Sequence, residues 1–255
     1  MQRRELEQWF EQTLEPKRFT DYCPNGLQVE GRSEIRKLVT GVTASLALID
    51  KAIELEADGV LVHHGWFWRG EDLTVRGTRK QRLARTLAHD LNLFAYHLPL
   101  DAHPVYGNNA QLAKVIGLIP ELDALGNPVT GGGKDLVWFG QPEQALPLAA
   151  LHKQIATRLS REPVVVGDPD KICKKIAWCT GGAQGMFEAA IEAGVDAYIT
   201  GEISEPNAHL ARESGVAFIS AGHHATERYG VKALGEAVAE KFEAEVLFFD
   251  IDNPA

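Results

Sequence analysis

Apolar and polar positions along the chain follow two periods. KLVTGVTAS (37–45) and DGVLVHH (58–64) are short, nearly continuous apolar runs, the pattern of strands buried on both faces. Between them LALIDKAIELEA (46–57) repeats apolar residues every three to four positions, as a helix with one buried stripe does. TRKQRLARTLAHD (78–90) predicts the next helix, LNLFAYHLPLD (91–101) a strand entering a loop, and NNAQLAKVIGL (108–118) a further helix. At the amino terminus, MQRRELEQWFEQTLEPKRF mixes charge with apolar residues at helical spacing, and Pro24-Asn25-Gly26 marks a turn. Such alternation predicts a mostly parallel sheet covered by helices.

From Pro120 to Gly133 the pattern breaks, and GNPVTGGG has the composition of a linker or long turn. Beyond it the first pattern returns. KIAWCTGGAQ (175–184) resembles KLVTGVTAS, and MFEAAIEAGVDAYITGE (186–202) resembles LIDKAIELEADGVLVHHG, at an offset of 137–138 residues. AHLARESGVAFISAGHHATE (208–227) resembles the segment ending in LFAYHLPLD, at an offset near 126. The chain therefore reads as an internal duplication. The expected fold class is α/β: two related three-layer halves, 1–125 and 126–255, with the C-terminal strand packing back on the first lobe.

Composition narrows the class. At 255 residues and 45% apolar, the chain can bury a large core, and 24% charged residues fit an ordinary soluble globular protein. A net charge of −9 opposes binding to a nucleic-acid backbone. No apolar run approaches the roughly 20 residues of a membrane span, and the amino terminus lacks the apolar core of a signal peptide. Cys23, Cys173 and Cys179 form no CxxC pair and fit reduced core thiols, so the expected compartment is the cytoplasm.

The candidate chemistry falls at strand ends, where open α/β sheets bind ligands. One strand stops at His63-His64. Another stops at His97, with Asp101 four residues on; in the second half His223 is followed at the same spacing by Glu227. Imidazoles and carboxylates together suit Fe, Zn, Mn or Ni. Four nitrogens and two carboxylates exceed what one tetrahedral catalytic ion takes, and suit two ions about 3.5–4 Å apart. Paired ions lower the pKa of a shared water and supply hydroxide near neutral pH. Asp101 and Glu227 are the expected bridges. His63 and His64, as neighbours at a strand end, are expected to point apart, one ring for each ion.

Other residues are read more plainly. His224 stands as a substrate-facing or supporting residue. Glu202 is a candidate base, a supporting carboxylate or simply a charge at a helix N-terminus. His89, His103, His152 and His209 are assigned ordinary hydrogen-bonded roles. Trp66, Phe67 and Trp68 form either packing or a wall on which a heterocycle stacks, with Arg69 and Lys80 as nearby phosphate candidates. No Walker loop, GxGxxG or GxSxG is present; TGGAQG after the strand at 176–179 is a weak phosphate-loop candidate.

NGLQVEG, TGVTAS, VHHG, HLPLDAH, GNNAQLA, WCTGG, ITGE and AGHHATER, in this order and spacing, resemble the NGG1-interacting-factor-three-like family, in particular its bacterial YbgI type, which carries the label GTP cyclohydrolase 1 type 2 homologue. The likeness covers about residues 20–255. It implies duplicated α/β lobes with a metal cleft between them, a dinuclear metal site there on His63, His64, His97, Asp101, His223 and Glu227, and a toroidal homohexamer. The label implies metal-dependent hydrolysis of a nucleotide or related heterocycle. The alternative is a non-catalytic, metal-dependent metabolite-binding or adaptor protein forming a ring.

Overall fold

The computed structural model describes residues 1–255, which divide into two compact units. The first comprises Met1–Gly107 and Gly230–Asp252; the second comprises Asn108–Tyr229 and Asn253–Ala255. No helix is long and apolar enough to cross a membrane.

In the first unit the elements in chain order are α1 (Arg3–Leu14), β1 (Gly26–Val29), β2 (Lys37–Thr43), α2 (Leu46–Glu54), β3 (Gly59–His64), α3 (Gly77–Ala88), β4 (Asn92–Ala95) and α4 (Leu98–Ala102). The C-terminal helix, from Gly230 to Phe242, and the C-terminal strand Glu245–Phe248 complete it. That strand, β2, β3 and β4 run parallel, and β1 closes the far edge antiparallel to β4. Strand alternation sorts the core into two layers. Leu38, Leu61, Phe94 and Tyr96 face α1 (Leu6, Phe10, Leu14) and the C-terminal helix (Val231, Leu234, Val238). Val39, Val60, Val62, Leu93 and Ala95 face α2 (Leu48, Ile49, Ala52) and Leu83 of α3. Each fully buried Leu, Phe or Val contributes about 2 kcal/mol of transfer free energy, which is why the strands read as apolar throughout. Ser45 starts α2 by accepting the Leu48 backbone N–H on its hydroxyl.

The second unit contains α5 (Asn108–Ile116), β5 (Leu118–Pro120), β6 (Thr130–Gly131), β7 (Val137–Pro142), β8 (Leu146–Pro147), α6 (Leu148–Leu159), β9 (Val164–Val166), β10 (Ile172–Cys173), β11 (Ile176–Trp178), α7 (Phe187–Glu192), β12 (Ala197–Thr200), α8 (Glu205–Ser214) and β13 (Ala217–Ser220). The main sheet runs β5-β7-β11-β12-β13-β9, parallel across β11, β12 and β13 and antiparallel at its flanks; β6 pairs with β7, and β8 with β10. Helices α5 and α6 cover one face, over Ile176, Trp178, Ile199 and Ile219. On the other, Phe187 stacks on Tyr198 and meets Phe218 edge-on.

The duplication is visible in hydrogen bonds. Asp58 Oδ2 accepts the backbone N–H groups of Arg36 and Lys37 at 2.8 and 3.0 Å. Asp196 Oδ2 accepts those of Lys174 and Lys175 at 2.8 and 2.9 Å. Lys37 Nζ donates to the Leu55 carbonyl, and Lys175 Nζ to that of Ala193. Each carboxylate thus pins the start of one strand to the start of the next.

One expectation changes. The boundary falls at Gly107, not near residue 125: α5, assigned above to the first half, buries Ala110, Leu112, Ala113 and Ile116 in the second unit's core. Of the two readings of 120–133, linker or long turn, the turn is the one found: the segment lies inside that unit and connects β5 to β6. Asp123 Oδ1 accepts the N–H groups of Leu125 and Asn127, and Gly126 turns at φ 82°. Turn residues mark a bend without saying whether it joins strands or domains.

Candidate metal centre

In the first unit, parallel β3 and β4 deliver His63, His64 and His97 to the same edge of the sheet. One ring nitrogen from each lies within 4.8 Å of the others. Ring centroids are 4.5 Å apart for His63 and His64, 5.1 Å for His63 and His97, and 5.7 Å for His64 and His97. The two neighbouring histidines therefore converge instead of pointing apart. Their own hydrogen bonds explain it. His63 Nδ1 is held by the Tyr96 carbonyl at 3.0 Å, and His64 Nδ1 meets Thr43 Oγ1 at 3.2 Å. Each ring is clipped to a different neighbouring strand, and the strand's simple alternation gives way at its end.

His97 Nδ1 donates to Asp21 Oδ1 at 2.7 Å. Asp21 Oδ2 accepts the Leu98 N–H and the Asn25 amide, while Asn25 Oδ1 accepts the His97 N–H. Burial alone would raise the Asp21 carboxyl, but the bonds from His97 and Asn25 outweigh it and lower it to about 2. Helix α4 then brings Asp101 one turn past His97, where its Oδ1 lies 3.5 Å from His63 Nε2. His63 is fully buried and Asp101 nearly so. A carbonyl only accepts, so His63 Nδ1 carries a proton, and the tautomer that would ligate a metal through Nε2 is the one this bond selects.

Cys23 groups with Asp21 and His97, but burial, aided by the Asp21 charge, pushes its thiol up to about 12, which disfavours the thiolate a metal needs. All three cysteines are buried, and none is in a disulfide.

In the second unit His223 opens the C-terminal helix and Glu227 follows one turn later. His223 Nε2 lies 3.3 Å from Glu227 Oε2, and Nδ1 donates to Glu202 Oε1 at 2.7 Å. Burial disfavours a charged His223, yet Glu227 and Glu202 hold its imidazole up at about 9. A positive charge is therefore favoured at this spot, between two carboxylates. The Glu202 carboxyl is lowered first by its bond with His223, and its other oxygen accepts the Gln184 amide. It orients His223. TGG at 180–182 has a steric role. A Cβ on Gly181 would come within 2.1 Å of Glu227 Oε1 and 3.2 Å of His223 Nε2, and Gly181 sits at φ 69°. Thr226 Oγ1 accepts the Gly181 N–H. The loop anticipated as a phosphate cradle thus gives room to a carboxylate.

The remaining candidates have local roles. His224 is buried, and its backbone N–H donates to the Ala255 carbonyl. Arg69 Nη2 donates to the Asp21 carbonyl, and Lys80 is exposed. His89 and His103 bond backbone within four residues, and His152 and His209 pair with Glu162 and Glu205. Asp21, Asn25, Thr43 and the Tyr96 carbonyl were not anticipated. Only Pro24-Asn25-Gly26 flagged that loop, and as a turn. Imidazole Nε2 atoms with buried carboxylates fit a divalent ion of mixed nitrogen–oxygen preference, and Asp21 and Glu202 stand where metal-binding histidines usually find their supporting acceptor.

Fold and side chains together define a duplicated α/β protein with several imidazole and carboxylate groups able to hold metal ions. The chain belongs to the Duf34/NIF3 (NGG1p interacting factor 3) family, which matches residues 1–254. It is 55% identical over 253 residues to a GTP cyclohydrolase 1 type 2 homolog of Neisseria meningitidis serogroup A, covering 99% of both chains. Identity to the protein of the same description from Escherichia coli K12 is 48% over 256 residues, with both chains fully covered. A structure solved as protein ybgI, of unknown function, superposes with a TM-score of 0.94 at 48% identity, covering 100% of both chains.

Proposed function

We propose that this protein binds two divalent ions through His63, His64, His97, Asp101, His223 and Glu227 and is a metal-dependent hydrolase acting on a nucleotide or related heterocycle. The observation that carries the proposal is the support given to the four histidines. Each has Nδ1 on a dedicated partner: the Tyr96 carbonyl, the Thr43 hydroxyl, and the Asp21 and Glu202 carboxylates. Rings held this way present Nε2, and the cost of fixing them is met before an ion arrives. Asp101 and Glu227, both buried, supply the anionic charge that a pair of dications requires. Bound ions would act as Lewis acids and lower the pKa of water. Asp21 and Glu202 would keep the imidazoles in the ligating tautomer, and the buried setting would limit competing water.

Elemental analysis of purified protein tests the binding. Two ions per chain are expected in the wild type, with loss in Asp101→Ala and in Glu227→Ala; two ions retained in both variants would overturn the assignment. Metal-loaded protein is then offered nucleotides, pterin precursors and phosphoesters. Stoichiometric binding of a metabolite with no turnover would favour the metal-dependent binding or adaptor reading. A ring of six chains in the cytoplasm accompanies the proposal, and sedimentation velocity checks the assembly.

A further inference from the structure

In the first unit a pocket of about 140 Å³ lies between the loop after β3 and helix α3. Its apolar walls are Trp66, Phe67, Trp68 and Leu83. Trp66 is fixed: its indole N–H donates to the Ala44 carbonyl at 2.8 Å, and its backbone exchanges two hydrogen bonds with the Gln28 amide. Phe67 follows at φ 66°, a left-handed conformation that a bulky side chain rarely takes and that folds tend to retain at ligand sites. Trp68 is a wall shared with the histidines. Its ring centroid is 5.0 Å from that of His97 and 5.9 Å from that of His64.

The charged lining is unbalanced. Glu71 Oε2 accepts from Arg79 Nη2 at 2.5 Å and from the Trp68 N–H at 3.2 Å, so that pair is neutral and braces the loop. Arg82 also lines the pocket, half-buried, and no carboxylate pairs with it. One uncompensated cation therefore sits in an aromatic enclosure. An apolar cavity of about 150 Å³ accepts a benzene. The space here suits one ring and not a fused, substituted pair.

We infer that this pocket binds a single aromatic ring carrying an anionic group, with the ring against Trp68 and Phe67 and the anion on the Arg82 guanidinium. A pyrimidine carboxylate has that chemistry. As the seat for the non-reacting part of a substrate, the pocket rests on the hydrolase reading above; as a binding site it does not.

Calorimetry on the full chain as purified tests it with orotate and uracil. Orotate is expected to bind at least tenfold more tightly than uracil. Arg82→Gln should weaken that binding tenfold or more, and Arg82→Lys should recover part of it. No binding of orotate to the wild type, or equal binding by wild type and a folded Arg82→Gln, would overturn the inference. Elemental analysis of Arg82→Gln should return the wild-type metal content; metal loss there would count against a separate subsite. A pocket that fails while the metals remain leaves the metal assignment standing, and the reverse holds as well.

Discussion

Asp58 and Asp196 brace the same backbone in the two units, whereas His64, which ends β3, and Glu202, two residues past β12, hold different partners. Both pairs stand 138 positions apart. His64 converges with His63 and His97, while Glu202 orients His223 from behind. His97 in turn takes its supporting carboxylate from a loop near the amino terminus, where Asp21 lies. Thr43 and Gly181 show the same divergence. Thr43 uses its hydroxyl to hold His64, and Gly181 must have no side chain because Glu227 occupies the space. The bracing at the start of these strands is shared by the two units, and the residues at and beyond their ends are not.

Four measurements sharpen that comparison. Gly181→Ala should cost about 3 kcal/mol in chemical denaturation, since it adds both a steric clash and a left-handed φ, whereas Thr43→Ala should cost about 1 kcal/mol for one lost hydrogen bond. Equal costs would show that the two positions are not under different constraints. Asp58→Ala removes an acceptor from two backbone N–H groups and from Arg32 and should cost about 2 kcal/mol; Asp196→Ala, at a more exposed site with no arginine, about half that. Asp21→Asn should weaken metal affinity roughly tenfold or more while keeping every ligand, and Glu202→Gln by a smaller factor, because Asp21's side chain is 3% exposed and that of Glu202 45%. A metal titration in which Glu202→Gln is the weaker variant would reverse that ranking.

The smallest effect is one of pH. Burial opposes an ionised Asp58, but the N–H groups of Arg36 and Lys37 and the Arg32 guanidinium overcome it and lower its carboxyl. The unfolded chain therefore takes up this proton first as acid is added. The stabilisation is present in full above the unfolded value near 4 and is lost as pH falls through the lower folded value. The stability gap between wild type and Asp58→Asn should be constant from pH 6 to 8 and close below about pH 4. A gap that widened in acid would have the wrong sign.

Much of this was readable in the sequence where a short-range rule applied. Continuous apolar runs gave β2 and β3, and the rule that ligands gather at strand ends singled out His63, His64, His97 and Asp101, which the first unit brings together. Asp21 was not readable, because it meets His97 across 76 positions of sequence and no local pattern announces such a pairing. The convergence of His63 and His64 was missed for a related reason: strand alternation describes residues inside a ladder, and these two rings are turned by bonds to Tyr96 and Thr43. The fate of α5 depended on which core would accept its apolar face, and helical periodicity does not encode that choice.

The first unit is assembled from both ends of the chain. Its strand β2 has the edge strand Glu245–Phe248 along one side, and one layer of its core needs Val231, Leu234 and Val238. During synthesis Asn108–Tyr229, all of the second unit but Asn253–Ala255, emerge before these arrive. That body is free to fold on the ribosome while the first unit waits with one edge of β2 open and part of its core uncovered. The interval between is when the nascent chain most needs protection from pairing with others.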